Sequence, residues 1–262
     1  MPVRKLGRTI AILCLLAGVF LGGTLSSAAQ SDDDAPETVV ERVVPGADFP
    51  VALAYTPDGR LFYTEKNTGQ VRVINADGER QREPVISLPT DGFVERGLLG
   101  IAIDPDYEDN GHIWVYHTQP NTVEPPYPIN RVVRFTEADG VGRDPVEMLA
   151  VPVDTREAHH MGGNLHFDAD GYLFVSIGDI GEVDYAQDLN AMPGRIHRFA
   201  VEGDALVIPE DNPFPDNSTY AYGLRNPFDF DFDPFSGEII GGENGPTCDD
   251  EINLILAGGK IR

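Results

Sequence analysis

The sequence has little cysteine, little basic charge and no long helical periodicity. Its two cysteines are Cys14 and Cys248, and Cys14 lies in an apolar N-terminal run. Once that run is removed Cys248 stands alone, so an intramolecular disulfide is excluded and stability must come from packing or bound metal ions. Cys248 sits in no nucleophile motif. Lys and Arg together number 19 against 43 Asp and Glu, a formal net charge of −24. So acidic a surface argues against nucleic acid and anionic membranes as partners. It suits a neutral small substrate, a cationic partner or a salty habitat, and equally a surface made acidic for solubility. No window shows a sustained 3.6-residue apolar period, which argues against a helical architecture.

Residues 1–29 read as a secretory signal. Arg4, Lys5 and Arg8 form the basic region, residues 10–21 the apolar core, and Ser27-Ala28-Ala29 the small residues at the cleavage site. The apolar run is short for a membrane span, so no span is expected after cleavage, and the protein is expected to be secreted or periplasmic. Residues 30–42, with Ser31-Asp32-Asp33-Asp34, read as a flexible acidic leader. From residue 43 to 262 the chain is a series of short apolar runs between turns, an all-β pattern.

One unit recurs: an apolar strand, a turn rich in Asp and Gly, and an apolar return. It appears as AYTPDGRLFYTE, IAIDPDYEDNGHIWVYH, HFDADGYLFVS and FDFDPFSGEII, with turn glycines Gly59, Gly111, Gly171 and Gly237. The spacing is about 50–65 residues, which is the hairpin-per-blade pattern of a β-propeller. Residues 71–75, 131–136 and 195–201 would complete the blades. About four blades' worth of sequence is present. In a propeller, the loops at residues 91–100, 155–163, 221–227 and 242–251 would converge at one end of the channel.

Residues 158–181, AHHMGGNLHFDADGYLFVSIGDIG, concentrate the chemistry. Asp170-Gly171 turns one strand into the next, which sets His159 and His160 beside Asp179 at the open end of the hairpin. A carboxylate against an imidazole fixes its tautomer and supports a general base; the same composition also fits a plain turn. In DGFVERGLLG, Glu95 and Arg96 precede a strand and either face a ligand or form an ion pair. In YGLRNP, Arg225 and Asn226 offer a guanidinium and an amide suited to carboxylate or quinone oxygens, or Arg225 pairs with one of the many acids. In GGENGPTCDDE, the Gly245 and Pro246 carbonyls with Asp249, Asp250 and Glu251 are oxygen donors of the kind calcium takes, or simply an acidic turn. DPDYEDNG at residues 104–111 also looks calcium-like but reads as a blade turn.

Taken in order, ERGLLGIAIDPDY, HMGGNLHFDADGYLFVSIGD, AQDL, YGLRNPFDFDFDP and NGPTCDDEINLI resemble the glucose/sorbosone dehydrogenase family, the soluble quinoproteins that use pyrroloquinoline quinone (PQQ). The resemblance implies a six-bladed propeller. It implies His160 as catalytic base, Asp179 as its support, Arg225 and Asn226 as PQQ contacts, the Gly245 and Pro246 carbonyls as ligands of the calcium that holds PQQ, and Glu251 as a ligand of further calcium. It implies oxidation of an aldose at C1 to the lactone, with hydride transfer to PQQ and an electron acceptor not named by the sequence. Glu95 stands where sugar-oxidising relatives can carry glutamine, beside the expected cofactor position. The cations expected at the mouth are Arg225, Arg96 and Arg156. The family continues for further blades past the point matching Arg262, so an incomplete propeller and a poor PQQ enzyme are expected. Two other readings are a non-catalytic propeller that binds a carbohydrate or protein partner, and a calcium-dependent hydrolase of the lactonase type, against which the Arg-Asn-Pro motif speaks.

Overall fold

The computed structural model of the chain describes residues 39–120, 128–153 and 158–261. The signal segment and residues 30–38 of the acidic leader lie outside the described residues, as does Arg156. Contacts divide the chain into Met1–Glu41 and Arg42–Arg262; of the first, only the exposed residues 39–41 are described.

Arg42–Arg262 forms a four-bladed, propeller-like arrangement of antiparallel sheets. The first blade is β1 (Pro50–Tyr55), β2 (Leu61–Glu65), β3 (Gln70–Ile74) and β4 (Ile86–Ser87), in that order across the sheet. The second is β5 (Leu98–Ile103), β6 (His112–Gln119), β7 (Ile129–Ala138) and β8 (Val141–Pro152). In the third, β9 (Leu165–Phe167), β10 (Leu173–Ile177) and β11 (Arg195–Glu202) are followed by a divided outer strand: β12 (Ala205–Val207) pairs with one end of β11 and β13 (Thr219–Tyr222) with the other. The fourth is β14 (Pro227–Phe232), β15 (Ile239–Glu243) and β16 (Glu251–Ile255). Beyond β16 the chain makes no further strand among the described residues. It returns to the third blade, where Ile261 N–H donates to the Tyr222 carbonyl (2.9 Å).

Strand alternation explains why the middle blades read as near-continuous apolar runs. Successive side chains point to opposite faces, and a blade between two others buries both. In β6, Trp114 and Tyr116 pack with Leu165, Leu173 and Val175 of the third blade. Ile113 and Val115 turn the other way, onto Phe62, Val71 and Val73 of the first. In β10, Leu173, Val175 and Ile177 face the second blade, while Phe174 packs with Phe230 and Ile239 of the fourth.

The recurring turn has one geometry. Gly59, Gly111, Gly171 and Gly237 all have positive φ, between 67° and 84°, a region open to glycine without a Cβ clash. In the second blade the turn is enlarged by a single helical turn, α1 (Tyr107–Asn110). Asp104 is saturated there: Oδ1 accepts the Asp106 amide (3.0 Å) and Asn110 Nδ2 (2.9 Å), and Oδ2 accepts Trp114 Nε1 (2.8 Å). The calcium-like DPDYEDNG run is therefore a self-bonded blade turn. The inner strands β1, β5, β9 and β14 line a central cavity of about 340 Å³, with Leu53, Leu99, Asn164, His166 and Asp229 on its wall.

Candidate active site

Four loops meet at one end of this channel, each placed there by the strand it enters or leaves. His160 lies before β9 and Asp179 just after β10, at the open end of that hairpin. Their side chains touch: His160 Nδ1 is 2.6 Å from Asp179 Oδ1. The Asp179 side chain is 1% exposed and that of His160 is 14% exposed. Asp179 Oδ1 also accepts the Gly181 amide (2.9 Å), so the carboxylate is fixed before it meets the imidazole. With Nδ1 directed at a carboxylate, Nε2 is the nitrogen left to take a proton. His160 has φ +59° and Ile180 φ +52°. The Ile180 amide bonds the His160 carbonyl (3.2 Å). Left-handed backbone at two non-glycine residues in direct contact is strain of the kind concentrated at functional sites.

The loop before β5 reaches His160 from the second blade. Glu95 Oε2 accepts the His160 backbone amide (2.5 Å), and the Glu95 amide donates to the Ala158 carbonyl (3.0 Å). Glu95, expected at the cofactor, thus supports the histidine loop, through an acceptor oxygen that a glutamine would also offer. Arg96 is buried, with Nη1 on Asp91 Oδ2 (3.1 Å). The pair it forms is with Asp91 rather than Glu95, and it is buried rather than solvated. Lys66 is also buried beside this loop, its ammonium donating to the Gly92 carbonyl (3.0 Å) and Asn67 Oδ1 (3.2 Å). Burial pushes its pKa down, and the charges of Asp91 and Glu95 oppose that shift.

The turn into β14 contributes Arg225 and Asn226. The Arg225 carbonyl accepts the Asp179 amide (2.8 Å). Its guanidinium Nη1 donates to the carbonyls of Asn244 (2.8 Å) and Gly245 (3.2 Å). Asn226 is buried; its Oδ1 accepts the Gly162 amide (3.1 Å) and its Nδ2 faces Asn244 Oδ1 (3.4 Å). Its amide is therefore spent on joining loops.

The glycines here serve close packing of protein on protein. A Cβ on Gly178 would lie 2.0 Å from the His160 carbonyl oxygen, and one on Gly163 would lie 2.8 Å from the Tyr116 ring. At Gly163 the space a side chain would take is filled by Tyr116 and Leu99. Gly178→Ala should accordingly destabilise the fold by about 3 kcal/mol, the upper end of ordinary overpacking, and separate His160 from Asp179. Gly171→Ala, with no atom within 4 Å of its Cβ, should cost only about 1 kcal/mol for its positive φ. Urea unfolding of the two variants compares them; equal costs would contradict the close-packing account.

Each expected calcium donor has its own surroundings. The Gly245 carbonyl is engaged by Arg225, and Pro246 is exposed. Glu251 accepts Asn253 Nδ2 (3.2 Å) within its own strand, and it is Asp250 that reaches the Gly245 amide (2.9 Å). No group of three or more His, Cys, Asp or Glu among the described residues is arranged to hold a metal. Glu243 was not singled out from the sequence, yet its side chain holds as many partners as that of Asp179. Its Oε1 accepts the amides of Arg225 (2.5 Å) and Asn226 (3.0 Å). Burial pushes its carboxyl above the usual range, and the Asp179 charge adds to this against the two amides. Its only sequence signal is an acid at the end of an otherwise glycine-rich strand.

The sequence profile of the glucose/sorbosone dehydrogenase family matches residues 47–260. The chain belongs to the glucose/sorbosone dehydrogenase family. Among family relatives, aldose sugar dehydrogenase YliI of Escherichia coli (strain K12) is 30% identical over 237 residues, which cover 84% of this chain and 60% of the relative. Quinoprotein glucose dehydrogenase B of Acinetobacter calcoaceticus is 30% identical over 240 residues, covering 80% of this chain and 49% of the relative. The PQQ-bound form of aldose sugar dehydrogenase from Streptomyces coelicolor superposes with a TM-score of 0.74 at 26% identity, covering 84% of this chain and 64% of that one. This glucose/sorbosone dehydrogenase chain thus spans between about half and two thirds of the lengths of these relatives. None of the helices among its described residues is long and apolar enough to cross a membrane.

Proposed function

We propose that the protein oxidises an aldose at C1 to the lactone, with PQQ as acceptor and His160 as general base. The observation that carries this reading is the 2.6 Å contact of His160 Nδ1 with Asp179 Oδ1, at the channel end of a family propeller and one hydrogen bond from the Arg225 backbone. PQQ, when bound, supplies the hydride acceptor. The residues fit an anionic quinone at one point: Arg225 is a half-buried guanidinium that can meet a carboxylate. The chain's own part is proton handling and placement. Asp179 holds the Nδ1 proton, so that Nε2 is basic and takes the proton of the sugar hydroxyl. As the imidazolium forms, the buried Asp179 carboxylate stabilises it. Glu95 and Asn226 keep the loops around His160 from shifting.

The test is direct. Purified protein is given PQQ and an aldose, and reduction of an artificial dye is followed. Dye reduction that needs both additions supports the reading, and its absence under all sugar and metal conditions would contradict it.

Calcium does not fit the chain's donors alone. It takes about six to eight oxygens, and the Gly245 and Pro246 carbonyls fall far short of that number. Any calcium held there needs ligand and water oxygens to complete its shell. Calcium should therefore leave the unfolding temperature of PQQ-free protein unchanged and raise it by several degrees when PQQ is present, through binding linkage. Differential scanning calorimetry with and without chelator distinguishes this from an independent site, which would respond without PQQ.

Export is proposed from the basic and apolar pattern of residues 1–29. The N-terminal sequence of exported protein should begin at Gln30; material starting at Met1 would contradict it.

A further inference from the structure

We propose that Glu243 is a positioning residue for the His160–Asp179 pair, acting through the turn that carries Arg225 and Asn226. The inference rests on the reading of that pair as the base of the site.

Glu243 ends β15, in register with Pro227 at the start of β14. One carboxylate oxygen, Oε1, receives the amides of two successive residues, Arg225 (2.5 Å) and Asn226 (3.0 Å). Two convergent amides on one oxygen fix the orientation of both peptide planes, as a charged hydrogen bond does better than a neutral one. Two bonds then run from the clamped turn to the two arms of the base. The Arg225 carbonyl takes the Asp179 amide (2.8 Å). Asn226 Oδ1 takes the Gly162 amide (3.1 Å), two residues beyond His160. Asp179 and the histidine loop are thus referred to one reference point, and Glu243 sets it.

The second oxygen separates this role from ordinary fold support. Glu243 is only 9% exposed, and Oε2 is buried without a hydrogen-bond partner. A buried carboxylate with one bare oxygen is unfavourable for stability. A glutamine would hold the same two amides without placing a negative charge near Asp179. What the acid adds over a glutamine is a counter-charge to Arg225, whose charge favours the ionised carboxyl.

Three variants test the proposal in the full chain. Glu243→Gln retains an acceptor at the Oε1 position, Glu243→Asp withdraws it by one methylene, and Glu243→Ala removes it. The first readout is the proton spectrum of His160, where a carboxylate-bonded Nδ1–H gives a distinct low-field signal. That signal should persist in Glu243→Gln and be lost in Glu243→Ala and Glu243→Asp. The second is amide exchange at Asp179 and Gly162, about tenfold or more faster in the Ala and Asp variants and near wild type in Gln. The third is turnover with PQQ and aldose. There kcat should fall about tenfold to a hundredfold for Ala and Asp, as expected of a base misplaced by an ångström or less, while the KM for sugar holds and Gln restores most of the rate.

If Glu243→Ala does not fold, the Asp and Gln pair decides the matter. A His160 signal, exchange rates and kcat that are unmoved in Glu243→Asp overturn the proposal. Wild-type protein inactive with PQQ, but with a His160 signal that follows Glu243, means that the functional reading has failed and the positioning role stands.

Discussion

His160→Ala should lower PQQ-linked sugar oxidation by about 10²–10⁴-fold, the usual cost of losing a positioned general base, while His159→Ala keeps most of the activity. The two histidines are adjacent in sequence and differ in surroundings. His160 has Asp179 on Nδ1, Glu95 on its backbone amide and a side chain that is mostly buried. His159 is exposed, with its ring centre 6.2 Å from that of His160. Asp179→Asn should follow His160→Ala in direction and be smaller in size, because the imidazole stays in place but loses the partner that fixes its tautomer. The assay is initial rate against sugar concentration at saturating PQQ. Equal losses from the two histidine substitutions would remove His160 from the base position.

The hairpin logic that places His160 against Asp179 is local. Asp170-Gly171 sets the turn, strand pairing sets the register, and the two ends must then lie together. Such relations are legible in a single sequence, as is the propeller, because its turn recurs with glycine at the one position that needs positive φ. Contacts between blades are not legible in this way. Nothing in DGFVERGLLG tells that Glu95 reaches the His160 backbone while Arg96 turns inward to Asp91, since both outcomes suit a strand entry. Nothing in GGENGP marks Glu243 as the clamp on Arg225 and Asn226, since its partners are backbone amides, which carry no residue identity. The glycine pair before β9 shows the same limit. Small residues announce close approach, and only packing reveals that the approaching group at Gly163 is Tyr116 and Leu99.

Acid should destabilise this protein well before its carboxylates with lowered pKa are protonated. His197 is fully buried in β11; Nε2 lies 2.8 Å from the Met192 carbonyl and Nδ1 2.9 Å from Ser218 Oγ. A carbonyl only accepts, so Nε2 carries the proton and Nδ1 accepts from the serine, a neutral imidazole with both nitrogens used. Burial pushes its pKa down to about 3. His117, also buried, is pushed down to about 4, first by burial and then by the Arg131 charge. In the unfolded chain both titrate near ~6.5. Below that pH the unfolded state binds a proton at each position and the folded state does not, so stability falls as pH falls. The slope is about 1.4 kcal/mol per pH unit per histidine. It starts near pH 6.5, and His117 stops contributing near 4 and His197 near 3. Between pH 6.5 and 4.5 the pair should remove about 5 kcal/mol, comparable with the whole stability of a marginal domain. Glu243, with its raised pKa, acts with the opposite sign, binding its proton more readily when folded. General charge also acts against the expected trend: at a net charge of −24, acidification neutralises carboxylates and relieves self-repulsion. A loss of stability over this window therefore reports the buried histidines. Urea midpoints measured from pH 7.5 to 4.5 should decline in the wild type, and the decline should be about halved in His197→Gln, which keeps a donor and an acceptor but has no group to titrate. The same slope in the variant as in the wild type would show that His197 binds its proton as readily folded as unfolded, contrary to this account.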